Sequence, residues 1–325
     1  MKKKKRTSIK IFKLIIPALI AFLLVVAAAD AIVVYRITHP ARIGLDSTPQ
    51  DYQDIWAGQP SWSEESWKNQ DGTESKGWLL RRPAGSPAVV LSHGYGSNRS
   101  ELLNLGVALW KEGYFVLLYD LRGHGLSPVK WTSLGEYESD DLVAGIRHLK
   151  GLKDSSGKPL IDADRIGLYG VSTGGYASLI AATRERSVKA VAVDSVYPTA
   201  DRFARMEMNR LLGMSNRLIN NILYLGMLCY FPGKFGSTSA NQAVREYQNV
   251  KLLFIAGADS GDLRLATGEV FTQSISNKEM LQVQHTRLSR LYLKDGTLYD
   301  QQVVNFFRRP DVLPVEKQKT AGRRQ

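Results

Sequence analysis

One serine in this chain sits where its hydroxyl can serve as a nucleophile, in the run Gly170-Val171-Ser172-Thr173-Gly174. A serine hydroxyl attacks an acyl carbon only when a base takes its proton, so it must be held where a histidine can reach it. A tight turn from a strand into a helix does this, with glycines wherever a side chain would strike neighbouring backbone. Both flanks are present. Arg165-Ile166-Gly167-Leu168-Tyr169 reads as a buried parallel strand, and Tyr176, Leu179, Ile180 and Thr183 follow at helical spacing. A second apolar run, Ala88-Val89-Val90-Leu91-Ser92, ends in His93-Gly94-Tyr95-Gly96-Ser97-Asn98. Negative charge grows on the carbonyl oxygen during attack, and fixed backbone N–H groups aimed at it lower the barrier. The amides of Thr173, directly after the serine, and of Tyr95, in the glycine loop, are the candidate donors of such an oxyanion hole.

The elements that must position these groups are legible as an alternation. Apolar runs at 88–92, 115–119, 165–169, 188–193, 250–255 and 278–283 are separated by helical stretches, and two shorter strands, 65–68 and 76–80, flank the Asp71-Gly72 turn. This predicts an α/β fold with a mostly parallel sheet and helices on both faces. Ligands of such sheets bind beyond the carboxyl ends of the strands, where Tyr95 and Ser172 fall. An insertion at 198–247, rich in residues such as Leu211, Leu212, Met214, Leu218 and Leu225, predicts a helical cap. Its inner face either lines an apolar acyl pocket or only packs the cap on the body, and contact with a bilayer is a third role.

Together with Asp120-Leu121-Arg122-Gly123-His124-Gly125-Leu126-Ser127 and Asp194-Ser195, these motifs resemble the serine hydrolases of the α/β-hydrolase superfamily, from about Ser63 to Arg309. The resemblance implies an α/β-hydrolase fold and a Ser…Asp…His order, with acid and histidine on loops at strand ends. Of five histidines only His285 follows the serine; it comes after the last strand and before a helix from about Tyr299. His39 lies beside the amino-terminal apolar segment, His93 opens the oxyanion loop, and His124 occupies a turn that similar proteins keep for structure. His148 falls within an amphipathic helix. The family acid stands three residues after the glycine that closes strand 250–255, a position held here by Ser260. Asp259, one residue earlier, is the favoured acid, with Asp262 and Asp194 as alternatives; Asp259 as a cap of helix 263–276 is the plainer reading. The implied activity is hydrolysis of carboxylic esters or related acyl bonds through an acyl-enzyme, on a small-molecule acyl ester or peptide, with no cofactor and no metal. A serine peptidase acting on short peptides and a non-catalytic tethered binding module are the alternatives, the second prompted by the displaced acid.

The ends of the chain bear on location. The first thirteen residues carry +7 of the net +12, residues 308–325 carry +4, and everything between is left with +1. The folded part is thus nearly neutral, which removes the main support for nucleic-acid binding. Residues 14–35 form an apolar segment about 33 Å long at ~1.5 Å per residue, enough to cross a bilayer, with Pro17 expected in its first turn. Basic flanks stay cytoplasmic, so 1–13 would lie inside and the catalytic domain outside. A signal peptide cleaved near Ala27-Ala28-Ala29 competes, but Ile32-Val33-Val34-Tyr35 continues the apolar run beyond that site. The expected order is thus a basic segment 1–13, an anchor 14–35, a linker 36–61, a hydrolase domain 62–309 and a disordered basic tail 310–325. The single cysteine, Cys229, allows no internal disulfide, and a domain of this size buries a full core without one. No Cys/His spacing suits a metal, and no phosphate-binding glycine loop or repeat is present.

Overall fold

The computed structural model describes residues 2–52, 61–289 and 296–315. Eight strands make one sheet: β1 (Trp62–Lys68), β2 (Glu74–Leu80), β3 (Ser86–Ser92), β4 (Phe115–Tyr119), β5 (Ile161–Val171), β6 (Val188–Asp194), β7 (Lys251–Gly257) and β8 (Lys278–Val283). Their order across the sheet is β1-β2-β4-β3-β5-β6-β7-β8. β1 and β2 pair antiparallel with each other, and β2 with β4; every pairing from β4 to β8 is parallel. Burial explains the patterns seen in the sequence. Central β4 is buried at all five positions, whereas the edge strands β1 and β8 mix covered and exposed residues. All eight strand runs form as expected, with β5 extended back to Ile161.

Helices cover both faces, as anticipated. On one face lie α3 (Glu136–Gly151), α4 (Thr173–Arg184) and α8 (Asp262–Gln273); on the other, α2 (Leu103–Lys111) and α9 (Gly296–Arg308). Register brings the functional loops to one edge: Ser92 pairs with Gly170, Val171 with Asp194, and Gly257 with Val283. The loops after β3, β5, β6, β7 and β8 therefore emerge side by side.

The insertion contains α5 (Ala200–Leu212), α6 (Arg217–Tyr230) and α7 (Ala240–Glu246). Thr199 caps α5 by accepting from the Arg202 amide, and Asn216 caps α6 through the Leu218 amide. Glu136, at the start of α3, ties the insertion's return path to the body by accepting from the Gly236 amide and the hydroxyls of Ser237 and Thr238.

Both ends differ from the sequence expectation. The first helix, α1, runs Lys2–Thr38, so Pro17 lies inside it rather than in its first turn. Its segment Ile15–Thr38 has mean hydropathy 2.6 and is long enough to span a membrane. The segment expected as a linker, 36–61, is docked over its first part. The Thr38 carbonyl accepts from the Thr132 amide at 2.8 Å, the Arg42 guanidinium donates to the carbonyls of Gly125 and Ser127, and Asn98 donates to the Gly44 carbonyl. Residues 53–60 of that segment lie outside the described residues. Where the tail was expected to be disordered, Val312 and Leu313 are buried, and the Tyr114 hydroxyl donates to the Leu313 carbonyl. Apolar side chains on either side of Pro314 find a groove beside α2. The expectation for residues 316–325 falls outside the described residues.

Candidate active site

Ser172 joins β5 to α4 with φ +47° and ψ −112°, a region that side-chain-bearing residues rarely enter. The surrounding glycines explain how the turn closes. A Cβ on Gly170 would lie 2.5 Å from the Gly175 nitrogen, and one on Gly174 would lie 2.5 Å from the His93 carbonyl oxygen. These obstacles are backbone and cannot move aside. The turn is fixed by the Ser172 amide donating to the Asp194 carbonyl at 2.8 Å and by the Tyr176 amide donating to the Ser172 carbonyl at 2.9 Å.

The two oxyanion candidates fit the geometry of unused donors. Thr173 is the first residue of α4, and Tyr95 lies in the loop after β3; neither amide donates to a protein acceptor among the described residues. The loop bearing Tyr95 is braced from below. His93 donates from Nδ1 to the Gly94 carbonyl and accepts at Nε2 from the Leu121 amide. Burial pushes its pKa down to about 4, so the ring is neutral. Asp120 accepts from the amides of Arg99 and Leu126, tying this loop to the Arg122-Gly123-His124-Gly125 turn. His124 is buried as well, its pKa lowered to about 3 by desolvation. The Tyr95 ring meets His124 and Phe203 edge-on, and its hydroxyl donates to the Ile37 carbonyl of α1 at 2.8 Å.

His285 follows β8, and its Nδ1 lies 3.3 Å from Asp259 Oδ2. The other oxygen of Asp259 accepts from the Thr286 amide at 3.2 Å. Gly257 permits this junction, since a Cβ there would lie 2.5 Å from Asp259 Oδ1. Ser260, at the position the family pattern gives to the acid, turns its hydroxyl back to the Gly257 carbonyl. The cap position of α8 is taken by Gly261, so Asp259 does not cap that helix. Asp262 is an exposed residue in the first turn of α8.

Asp194 is fully buried and differently employed. Its carboxylate accepts from the Ser195 hydroxyl, the Arg287 amide and the Tyr299 hydroxyl, while burial raises its pKa. It holds the loop bearing His285 against α9. This node was not legible in the sequence, because its members lie far apart in the chain and meet only where the ends of β6 and β8 come together with α9. His148 meets Glu65 at 2.9 Å and stacks on Trp67, and His39 stacks on Tyr35.

The structure thus brings His285 to Asp259, and sets the loop bearing Tyr95 against the Ser172 turn, with Gly94 beside Val171 and Gly174 beside the His93 carbonyl. No hydrogen bond joins Ser172 to His285 among the described residues, and the serine hydroxyl has no protein partner there. A cleft of about 610 Å³ opens beside the turn, lined among others by Gly94, Tyr95, Glu101, Val171 and Leu288. Among the described residues no group of three His, Cys, Asp or Glu side chains is arranged to hold a metal ion.

Comparison with known proteins agrees with this fold. Residues 89–264 match the sequence model of the alpha/beta hydrolase family. A polyketide transferase of Aspergillus fumigatus is 33% identical over 154 residues, 45% of this chain and 48% of its own. A thiohydrolase of Aspergillus aculeatus is 29% identical over 153 residues, 46% of each chain. The chain therefore spans about half the length of these relatives. Among solved structures, an esterase of Pyrococcus furiosus superimposes with TM-score 0.63 at 20% identity, covering 84% of this chain and 98% of that one.

Proposed function

The chain belongs to the alpha/beta hydrolase family, and from that premise we propose that it is a membrane-anchored serine hydrolase. It cleaves carboxylic esters or related acyl bonds through an acyl-enzyme. The observation that carries the reading is Ser172 held at positive φ, with the Thr173 amide next to it and the loop of Tyr95 packed on its turn, two amides that donate to no protein acceptor among the described residues. In this mechanism Ser172 Oγ attacks the acyl carbon and its proton passes to His285 Nε2. The Asp259 carboxylate holds Nδ1–H and stabilises the imidazolium. The tetrahedral oxyanion sits between the two amides, reinforced by the amino-terminal end of α4. Collapse expels the alcohol or thiol, which takes the proton from His285. Water then attacks the acyl-serine with the same imidazole as base, releasing the acid and restoring the hydroxyl. Serine and histidine are not hydrogen-bonded to each other among the described residues, and catalytic hydrogen bonds often tighten only with substrate bound. The named chemistry of the fungal relatives supports including thioesters among the acyl bonds.

The unbroken course of α1 through residues 27–29 and its apolar surface support retention as an anchor, with the basic segment inside and the hydrolase domain outside. A serine-reactive fluorophosphonate tests the central claim: wild type labels and Ser172→Ala does not. Equal labelling of both would remove Ser172 as nucleophile. Parallel turnover of p-nitrophenyl acyl esters and aminoacyl amides decides between ester and peptide substrates.

A further inference from the structure

The cap has an apolar surface that its own fold does not use. α6 has one charged residue among its 14, Arg217, and its inward residues Leu223 and Met227 are buried. The outward side is mostly apolar too, with Asn221 its exposed polar residue between Leu218 and Leu225: Leu218 is 68% exposed and Leu225 60%, and Leu211, Leu212 and Met214 stand exposed where α5 turns into α6. A helix facing water carries polar residues on that side.

The position of α6 along α1 says what covers this surface. α6 crosses α1 closely at Gly226, where a Cβ would strike the Asp30 carboxylate and come within 2.9 Å of Val34 Cγ2. The last basic residue before the span is Lys13. A hydrocarbon layer of about 30 Å needs about 20 helical residues, so a span beginning at residue 14 reaches residue 33. The far boundary of the bilayer therefore falls at the level where α6 crosses. If the layer ended at Ala29, it would be only about 24 Å thick. Arg210 and Arg217, both exposed, flank the apolar turn and can reach lipid phosphates. The cap is also joined to the oxyanion loop, since Phe203 of α5 packs on Tyr95 with ring centroids 5.4 Å apart.

We propose that α5 and α6 are seated in the boundary between acyl chains and headgroups of the bilayer that α1 spans, through Leu211, Leu212, Met214, Leu218 and Leu225. The hydrolase then draws its acyl substrate from the outer leaflet. This rests on the reading of α1 as an anchor.

The test uses the full-length chain in phosphatidylcholine–phosphatidylglycerol vesicles containing brominated lipids. In a Cys229→Ser background, a bimane probe is placed by Leu218→Cys, Leu225→Cys, Phe22→Cys in α1, or Ser155→Cys on the body. The expected result is quenching at 22 by bromines deep in the chain. At 218 and 225, shallow bromines quench about fivefold more than at 155. Quenching at 22 with 218 and 225 behaving like 155 overturns the cap proposal and leaves the anchor standing. No quenching at 22 removes both. Probes at 218 and 225 shielded from lipid bromine and from aqueous iodide alike would mean a second copy covers the surface, which also overturns the proposal. As a second readout, Leu218→Asp/Leu225→Asp should lower the ratio of vesicle-borne to soluble short-chain ester turnover about tenfold; an unchanged ratio counts against it.

Discussion

Replacing Ser172 by glycine should stabilise the protein while abolishing its activity, and the contrast with alanine isolates why. The residue is held at φ +47° and ψ −112°, where a Cβ is strained by about 1–3 kcal/mol. Ser172→Ala keeps the Cβ and therefore the strain. It removes only a hydroxyl that has no protein partner among the described residues, so its stability should stay close to wild type. Ser172→Gly removes the Cβ. Against the relief stands the greater freedom of glycine in the unfolded chain, about 0.4–1 kcal/mol. The difference leaves Ser172→Gly more stable than Ser172→Ala by about 1 kcal/mol, or about 2–4 °C in Tm for a domain of this size. The assay is urea unfolding of the detergent-solubilised full chain followed by tryptophan fluorescence, with fluorophosphonate labelling confirming that both variants are inactive. If glycine is equal to or less stable than alanine, the turn is not under strain, and the account of why a serine is held there is wrong.

Four further outcomes follow from the networks in and around the site. Asp259→Asn should lower ester kcat by about 10²–10⁴-fold with stability unchanged, because it removes a partly exposed partner of His285; Asp194→Asn should instead destabilise by about 1–3 kcal/mol in urea unfolding, since that buried carboxylate accepts three hydrogen bonds. For pH, the His124 pKa falls to about 3 in the fold, so below the unfolded value near 6.5 the unfolded chain binds a proton that the fold refuses. Stability is therefore lost as pH falls from 6.5 toward 3, and His124→Gln should make the slope between pH 6.5 and 5 shallower by about 1 kcal/mol per pH unit. Glu136→Ala strips the acceptor from three donors at residues 236–238 and should raise amide exchange there about tenfold, read by mass spectrometry against an unchanged β4.

How much could be read from sequence follows from the range over which each feature is decided. The turn at Ser172 was legible because its requirements are local: a strand buried on both faces reads as an apolar run, and Gly170 and Gly174 are demanded by backbone a few residues away or at the end of a neighbouring strand. The contact of Asp259 with His285 was harder to read, since Ser260 holds the position the family pattern gives to the acid and only the packing of Asp259 and Thr286 over Gly257 sets that carboxylate at His285. The roles of Asp194 and Tyr299 were beyond reach, because 105 residues separate them and the link exists only once β6 lies beside β5 and α9 packs on the second face. The same reasoning covers the ends. Arg42 and Leu313 carry no periodic signal, yet the carbonyls at 125 and 127 and the groove beside Tyr114 fix both segments on the body.

The contact between Tyr95 and Ile37 changes what the amino-terminal helix is for. A tether needs only to hold the domain near a surface, and its last turn has no reason to enter the core. Here Val34 and Ile37 are buried among core residues, and the Ile37 carbonyl, free of an intrahelical partner at the helix end, accepts from the hydroxyl of the residue whose amide is proposed to hold the oxyanion. The Tyr95 ring is fixed on its other sides by His124 and by Phe203 of the cap. Tyr95 is therefore clamped by three units at once: helix, body and cap. A shift of α1 relative to the cap would be transmitted to the oxyanion loop through a side chain with few alternative rotamers. Backbone amides stabilise a developing charge only when their position is set before the reaction. On this argument the end of α1 is part of the scaffold of the proposed site, and the hydrolase domain and its amino-terminal helix form one structural unit.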